Sequence, residues 1–267
     1  MEAPDVVAHI HRDYLAAGAQ VLTANTFRTN PRTLRRAGIT DGGRALSQTA
    51  VALAKQVVGY WLLENAPHQP ITNNQQLLVA GSIAPVEDCY SPELVPSDDE
   101  LREEHGELAR NLADAGCDVI LVETMNTIRE AVIAAQSAAS TGLPLWVSFT
   151  LNEHNHLLSG ETLAAAVCAV LPYRPQAALV NCIPVAQVGA ALRVLRDATQ
   201  AIRIAFGAYG NVGHVDDEVG WTLTHAVTPS AYAEAAREWQ ALGATIIGGC
   251  CGTMPEHIAA LAALSKT

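Results

Sequence analysis

Three of the six cysteines in this 267-residue chain stand where they could share one metal ion. Cys250 and Cys251 are consecutive in G-G-C-C-G-T, directly after the apolar run A-T-I-I-G-G. Cys182 ends the earlier run A-A-L-V-N-C. If both runs are strands of one parallel sheet, their ends meet at the same edge, and three thiolates can bind one Zn²⁺ at about 2.3 Å each. We therefore predict a zinc site.

The predicted site has the ligand set of a catalytic zinc. Three thiolates without an evident fourth ligand leave one coordination position open. A substrate thiol can fill it, and the metal lowers the pKa of that thiol so that it binds as the nucleophilic thiolate. Two other interpretations stay open. Cys250 and Cys251 form a redox disulfide, or all three cysteines are ordinary buried thiols.

Residues around these cysteines have simpler expected roles. Presenting two consecutive cysteines to one metal requires a turn that residues with a Cβ resist. The glycines expected to allow it are Gly248, Gly249 and Gly252. The cysteines expected only to pack or to lie at the solvent edge are Cys89, Cys117 and Cys168.

Seven aliphatic or β-branched runs recur along the chain and predict strands. They are A-Q-V-L-T-A-N-T, Q-L-L-V-A-G-S, D-V-I-L-V-E-T, P-L-W-V-S-F-T, A-A-L-V-N-C, R-I-A-F-G-A-Y and A-T-I-I-G-G-C. Continuous apolarity indicates strands covered on both faces, as parallel strands are. Helical patterns lie between them, at Asp98 to Ala115, Thr127 to Ala139, Thr162 to Leu171, Val185 to Thr199 and Ser230 to Leu242. Strand and helix therefore alternate.

This alternation fits a doubly wound sheet or a closed barrel. No G-x-G-x-x-G follows the first run, which weakens the dinucleotide-binding version of a doubly wound sheet. Every run ends in polar or small residues, as expected where the carboxyl ends of barrel strands form a site. We predict an α/β fold of the (β/α)8 TIM-barrel type, as one domain over residues 1–267.

One strand of the predicted barrel is not evident. A barrel needs a strand before its first helix, yet residues Pro4 to Ala16 carry apolar side chains at helical spacing and already predict that helix. We therefore expect a barrel that lacks its first strand, so that the domain is N-terminally incomplete. Such a sheet has two unpaired edges.

Composition narrows the classes of partner. The chain has 27 acidic and 16 basic residues and a formal charge of -11, which works against binding nucleic acid or an acidic membrane surface. Small-molecule substrates are expected instead. No signal peptide or membrane span is evident, and the cysteine count does not suggest a disulfide scaffold. We expect a cytoplasmic protein.

At this point the sequence resembles the homocysteine S-methyltransferase family, which has betaine-, S-methylmethionine- and cobalamin-dependent members. The resemblance spans essentially the whole chain. Its motifs are G-G-C-C-G-T-M-P-E-H-I, V-N-C, D-V-I-L-V-E-T-M, L-T-A-N-T-F and G-S-I-A-P. The resemblance implies a zinc-binding β/α barrel that transfers a methyl group to homocysteine and produces methionine. It also implies that Cys182, Cys250 and Cys251 are the zinc ligands.

Further site residues follow from the resemblance and from their positions at strand ends. The resemblance implies that Glu123 binds the amino group of the substrate; the alternative is an acid that caps the next helix. Asn25, Ser82 and Thr150 are expected to line the pocket, or else to satisfy loop backbone groups. Of the loop histidines, His154 and His156 are expected to be solvated. His214 lies where the family usually has a different loop.

The sequence favours S-methylmethionine or S-adenosylmethionine as the methyl donor. A methylcobalamin route usually brings further cobalamin and folate domains, and betaine is less favoured. The family's first strand carries a D-G-G-x-G-T-E-like segment that nothing in this chain matches. The alternative function is therefore a non-catalytic paralogue that binds zinc or a thiol and has lost the first strand.

Overall fold

Strands and helices alternate through the computed structural model, which describes residues 3–40, 42–65, 77–216, 220–223 and 227–264. Within these ranges the helices are α1 Pro4–Ala16, α2 Pro31–Arg36, α3 Gly43–Asn65, α4 Asp98–Ala115, α5 Ile128–Ala139, α6 Leu163–Val170, α7 Val185–Thr199, α8 Pro229–Ala241 and α9 Pro255–Leu264. The strands are β1 Val21–Thr23, β2 Leu78–Ile83, β3 Val119–Met125, β4 Leu145–Phe149, β5 Ala177–Pro184, β6 Ala205–Asn211, β7 Gly213–Asp216, β8 Gly220–Leu223 and β9 Ile246–Gly249. Short 3₁₀ turns cover Pro92–Leu94 and Leu171–Tyr173.

Seven of these strands form one parallel sheet in the order β1-β2-β3-β4-β5-β6-β9. The seven predicted strands are thus confirmed. Strand order follows chain order without the reversal that defines a doubly wound sheet. The architecture is an α/β fold whose parallel sheet curls into a half-barrel, consistent with the TIM type. The antiparallel β7-β8 hairpin was not predicted.

Two strands are edges of this sheet among the described residues. β1 pairs with β2 and β9 pairs with β6, each on one side. The segment Pro4–Ala16 is helical, as its apolar spacing predicted. A cavity of about 1800 Å³ is lined by residues of β1, β9, α1 and α9, and it reaches the carboxyl ends of the central strands.

Helix boundaries follow from local capping chemistry. At the start of α4, Ser97 and Glu100 form a reciprocal capping box. The helix ends at Gly116, whose φ of +79° suits the left-handed turn that closes a helix. Thr127 caps α5 by accepting a hydrogen bond from the backbone of Glu130 at 3.2 Å. The predicted helices are confirmed to within about two residues at their ends.

The sheet is buried on both faces, which explains the continuous apolar runs. Helices cover the outer face through the largest apolar cluster. A smaller cluster fills the inner face, and it consists of Ala80, Val119, Leu121, Ala177 and Leu179. None of the helices in the described ranges combines the length and the apolarity that crossing a membrane requires.

The approach of β6 to β9 yields a stability prediction. A Cβ on Gly207 would lie 1.7 Å from the carbonyl oxygen of Ile246, which no side-chain rotation can relieve. Gly207→Ala should therefore lower the free energy of unfolding by about 2–3 kcal/mol or more in denaturant titrations. The matched control is Gly189→Ala in α7, where the nearest atom is the end of Arg193 at 3.8 Å.

The control should raise the unfolding free energy by about 0.5–1 kcal/mol, because alanine favours a helix interior over glycine. Equal effects of the two substitutions would contradict the close β6-β9 approach.

Candidate active site

The inner face of the sheet becomes polar towards the carboxyl ends of the strands. Side chains alternate along a strand, so a residue two positions after an inward one also faces inward. Two positions after Ala80, Leu121 and Leu179, this rule places Ser82, Glu123 and Asn181, which are all buried. Polar groups buried over an apolar floor, at the rim where parallel strands end, are typical of an active site.

The three predicted ligand cysteines lie together at this rim. Their sulfur atoms all lie within 4.8 Å of one another. The Sγ atom of Cys182 is 2.9 Å from that of Cys250 and 3.7 Å from that of Cys251. The Sγ atoms of Cys250 and Cys251 are 3.9 Å apart. All three side chains are partly buried, and all line the large cavity.

The thiols strongly affect one another's ionisation. Hydrogen bonds from Cys182 and Cys250 lower the pKa of the Cys251 thiol to about 3. Hydrogen bonding to Cys182 and Cys251, followed by burial, raises the pKa of Cys250 well above its ordinary value. The cluster therefore accepts one negative charge readily and resists a second one. A cation bound among the sulfurs would remove that resistance.

Cys182 reaches the cluster through an irregular backbone. Asn181 faces the interior, so regular alternation would point Cys182 towards the helices. Its φ of +55° interrupts the alternation, and the β5-β6 register shifts between Asn181 and Pro184. The same combination occurs at Thr124, directly after Glu123, where φ is +60° and the β3-β4 register shifts. Each such residue costs about 1–3 kcal/mol, and such strain clusters at functional sites.

The glycines around Cys250 and Cys251 act differently from one another. Gly252 has a φ of +78° and provides the expected turn after the cysteines. The expectation for Gly248 and Gly249 was wrong, because both lie in β9 and neither has a positive φ. Gly249 is instead required for close packing, since a Cβ there would lie 2.3 Å from the Oγ1 atom of Thr253.

Glu123 is held by two hydroxyl donors at the centre of the polar layer. Its Oε1 atom accepts a hydrogen bond from Ser82 at 2.5 Å, and its Oε2 atom accepts one from Tyr209 at 2.9 Å. Burial raises the pKa of this carboxyl, while the two hydroxyl groups act in the opposite direction. Glu123 makes no capping bond to α5, whose cap is Thr127. The carboxylate instead lines the cavity that the cysteines share.

The other predicted pocket residues lie at different distances from this centre. Ser82 contacts Glu123 directly, although it does not line the cavity itself. Thr150 is buried directly after β4, and its hydroxyl has no hydrogen-bond partner among the described residues. Asn25 is exposed and lines a separate small cavity with Arg28 and Thr29. The structure therefore brings Ser82 to Glu123 and places Asn25 apart.

The remaining candidates lie outside the cluster. His154 is exposed, and its ring is 3.5 Å from Glu153. Within the described residues, neither His154 nor His156 belongs to a potential metal-binding group. The side chain of His214 lies outside the described residues. Cys89 is buried, as a packing role predicts. It also lines the large cavity, which was not expected.

Sequence reasoning missed two residues of the polar layer. Tyr209 donates to Glu123, and Ser148 donates to Asn181 at 2.7 Å. Tyr209 was noted only as the polar end of its run, without a role, and Ser148 only as a member of one. The strand register reveals them, because Ser148 pairs with Leu179 and Tyr209 pairs with Asn181. Aligning the runs at their carboxyl ends does not give this register, since Tyr209 ends its run and Ser148 is third from the end of its own.

The ionisation of Glu123 yields a prediction for stability against pH. Its pKa is raised in the folded chain, so protonation stabilises the folded state, and this contribution is lost as pH rises through the folded pKa. The quantity compared is the unfolding free energy of Glu123→Gln minus that of the unsubstituted protein. This difference should become more positive as pH rises from the acid range towards neutrality, because the unsubstituted protein loses stability and the variant does not. Denaturant titrations measure it, with exposed Glu238→Gln as the control. A difference that does not change with pH would contradict the burial of an ionisable Glu123.

Comparison with known proteins identifies a family that matches almost the whole chain. The family model for homocysteine S-methyltransferase matches residues 1–265. Homocysteine S-methyltransferase of Escherichia coli is 32% identical over 277 aligned positions, covering 99% of this chain and 86% of that protein. Methionine synthase of Mycobacterium leprae is 31% identical, but the match covers 97% of this chain and 21% of that protein.

Solved structures give the same result. The crystal structure of the homocysteine methyltransferase MmuM from Escherichia coli, in its metallated form, superposes with a TM-score of 0.84 at 29% identity. It covers 99% of this chain and 86% of that chain. The apo form of the same protein superposes with a TM-score of 0.75. Together with the full-length family match, these likenesses show that the chain belongs to the homocysteine S-methyltransferase family.

Proposed function

We propose that this chain transfers a methyl group from a small donor to the thiol of homocysteine, giving methionine, and that Zn²⁺ bound by Cys182, Cys250 and Cys251 is its cofactor. The observation that carries the proposal is the convergence of three sulfur atoms within 4.8 Å at the rim of the cavity. Zinc is one of the metals that thiolate ligands bind well, and a catalytic zinc commonly has three protein ligands.

The sulfur positions fit this metal. Tetrahedral coordination at about 2.3 Å places two sulfur ligands about 3.8 Å apart. The Cys182–Cys251 and Cys250–Cys251 separations of 3.7 and 3.9 Å match that value. The Cys182–Cys250 separation of 2.9 Å is shorter and would have to widen when the metal binds. Within the described residues no histidine or carboxylate joins the group, so the set leaves one position for a substrate.

When bound, zinc would lower the pKa of a coordinated thiol, so that the substrate sulfur is a thiolate near neutral pH. The three cysteines hold the metal, and their negative charge keeps the substrate sulfur electron-rich. Glu123 then binds the ammonium group of homocysteine, because its carboxylate lines the same cavity and both of its oxygens are fixed by Ser82 and Tyr209. A charged pair of this kind is strongest where water is excluded.

The other pocket residues have smaller proposed roles. Ser82 orients Glu123 and does not touch the substrate itself. Thr150, directly after β4, offers a buried hydroxyl that pairs with no described group. Asn25 shapes the outer rim, since it is exposed beside Arg28.

We favour a sulfonium compound, S-methylmethionine or S-adenosylmethionine, as the donor. A sulfonium cation is attracted to an anionic thiolate cluster in a chain with a formal charge of -11. The aromatic rings of Tyr90 and Tyr209 also line the cavity, and aromatic faces attract cations. Betaine and a methylcobalamin protein are the other donors that a panel must include.

We also propose that the half-barrel belongs to a single (β/α)8 domain with one strand beyond those described. The strand order supports this, because each neighbour in the sheet is the next parallel strand along the chain. Within the described ranges one edge of β1 and one edge of β9 are unpaired, and both strands line the large cavity. One further strand between them would pair both edges and close the sheet.

The metal assignment predicts zinc stoichiometry. Purified under reducing conditions, the protein should hold about one Zn²⁺ per chain by metal analysis. The double variant Cys250→Ala, Cys251→Ala should lose it, because one thiolate cannot hold the ion. Cys168→Ala is the control, since Cys168 is an exposed free cysteine on α6. Unchanged zinc in the double variant, or a Cys182–Cys250 disulfide without metal in the wild type, would overturn the assignment.

The substrate assignment predicts a selective defect in Glu123→Gln. Loss of the charged hydrogen bond should weaken the binding of homocysteine by about 1.5–3 kcal/mol, or roughly 10- to 150-fold in KM, with zinc content intact. Steady-state kinetics at varied homocysteine and a saturating donor measure it. A normal KM would show that Glu123 has only a structural role.

A further inference from the structure

Asn181 is fully buried at the end of β5, directly before Cys182. Its Oδ1 atom accepts hydrogen bonds from the backbone N–H of Thr124 at 3.0 Å and from the Ser148 hydroxyl at 2.7 Å. Its Nδ2 atom donates to the Thr124 hydroxyl at 2.8 Å. One amide group therefore joins the carboxyl ends of β3, β4 and β5.

Among the described strand residues, Thr124 and Cys182 have a left-handed backbone, and both are directly connected to Asn181. Thr124 is the partner in two of the three hydrogen bonds of the Asn181 amide, donating one from its backbone N–H and accepting one at its hydroxyl, and it has a φ of +60°. This conformation is an outlier for a β-branched residue, so the surroundings must hold it in place. Cys182, with a φ of +55°, is covalently joined to Asn181.

Thr124 and Cys182 help to position the two groups of the proposed site, the Glu123 carboxylate and the thiol cluster. Thr124 follows Glu123, so a change at Thr124 moves the carboxylate that faces the cavity. Cys182 supplies one of the three clustered sulfurs. The register shifts in β3-β4 and β5-β6 occur at these same positions, which shows that regular strand pairing does not fix either one.

We propose that Asn181 is a positioning residue that couples the thiol cluster to Glu123, by holding Thr124 and Cys182 in their left-handed conformations. The inference rests on the proposed roles of Cys182 and Glu123. The amide of Asn181 does not need to touch the metal or the substrate. Removing the amide should displace both Cys182 and Glu123. The substitution Thr124→Gly should then restore the position of Glu123 but not that of Cys182.

The experiment compares Asn181→Ala, Thr124→Gly, and the double variant that carries both. Asn30→Ala is the matched control. Asn30 is also a buried asparagine whose Oδ1 atom accepts a backbone hydrogen bond, from Thr33 at 2.8 Å, but it caps α2 outside the cavity. For each full-length chain, zinc affinity is measured by competition with a chelator, and homocysteine affinity by calorimetry at saturating Zn²⁺. The thermal midpoint is measured alongside.

Asn181→Ala should weaken both affinities about 10-fold or more, the usual loss when a group that orients metal ligands is removed. Adding Thr124→Gly should restore most of the homocysteine affinity, because glycine adopts the left-handed conformation without a Cβ penalty. Zinc affinity should stay weakened, since Cys182 is not relieved. Asn30→Ala should lower only the thermal midpoint.

Affinities of Asn181→Ala that match those of Asn30→Ala would overturn the proposal, as would a double variant that recovers no homocysteine affinity. A third readout does not require metal: the alkylation rate of Cys182 in the reduced, metal-free chain, located by mass spectrometry. Asn181→Ala should raise this rate several-fold, and an unchanged rate would count against the proposal. If the wild-type chain binds neither zinc nor homocysteine, the proposed function fails, while the alkylation rate still decides the role of Asn181.

Discussion

The site depends on bringing three sulfur atoms from two strands to one point, although those strands are not neighbours. β6 lies between β5 and β9, and neighbouring strands are separated by about 4.8 Å, so the two strand ends would lie on the order of 10 Å apart. The sulfur atoms of Cys182 and Cys250 are nevertheless 2.9 Å apart. The irregular backbone at Cys182 and the turn after Cys251 close this gap.

A second buried ionisable group, the carboxyl of Glu123, lines the same cavity as the thiols. A carboxyl buried as deeply as Glu123 tends to become neutral, and its pKa is raised accordingly. Hydroxyl donors on β2 and β6 offset part of that tendency and fix both oxygens. The arrangement suits a carboxylate that awaits a cationic partner, because the partner supplies the charge that the interior lacks. The thiol cluster and the Glu123 carboxyl thus line the same cavity at the rim of the sheet.

Features that follow from sequence periodicity could be predicted, whereas irregular backbone conformations at single residues could not. The continuous apolarity of runs such as D-V-I-L-V-E-T predicted buried parallel strands, and β3 is one. The predicted end of α4 at Ala115 is confirmed, and Gly116 follows it in the left-handed turn that closes a helix. The cysteine cluster was predictable because parallel strand ends meet at one rim.

The conformations of Thr124 and Cys182 could not be predicted. Both residue types normally avoid positive φ. At Thr124 this conformation accompanies a hydrogen bond to Asn181, which is 57 positions away along the chain and therefore not visible as a local pattern. The misjudged role of Gly249 has a similar cause, since its reason is the close approach of Thr253 and not a local turn. The side chain of Asn25 also departed from the simple strand-end rule: β1 ends at Thr23, two residues earlier, so Asn25 lies beyond the alternating region.

The most direct test of zinc-dependent methyl transfer uses a donor with a labelled methyl group. Homocysteine is incubated with the purified chain and with S-methylmethionine or S-adenosylmethionine whose transferable methyl group carries deuterium. The deuterium content of the methionine formed is measured by mass spectrometry. Zinc-dependent methyl transfer should give deuterated methionine at a rate proportional to zinc content, and the reaction should be abolished by a chelator and restored by added Zn²⁺. Labelled methionine formed at the same rate after the zinc has been stripped would contradict it.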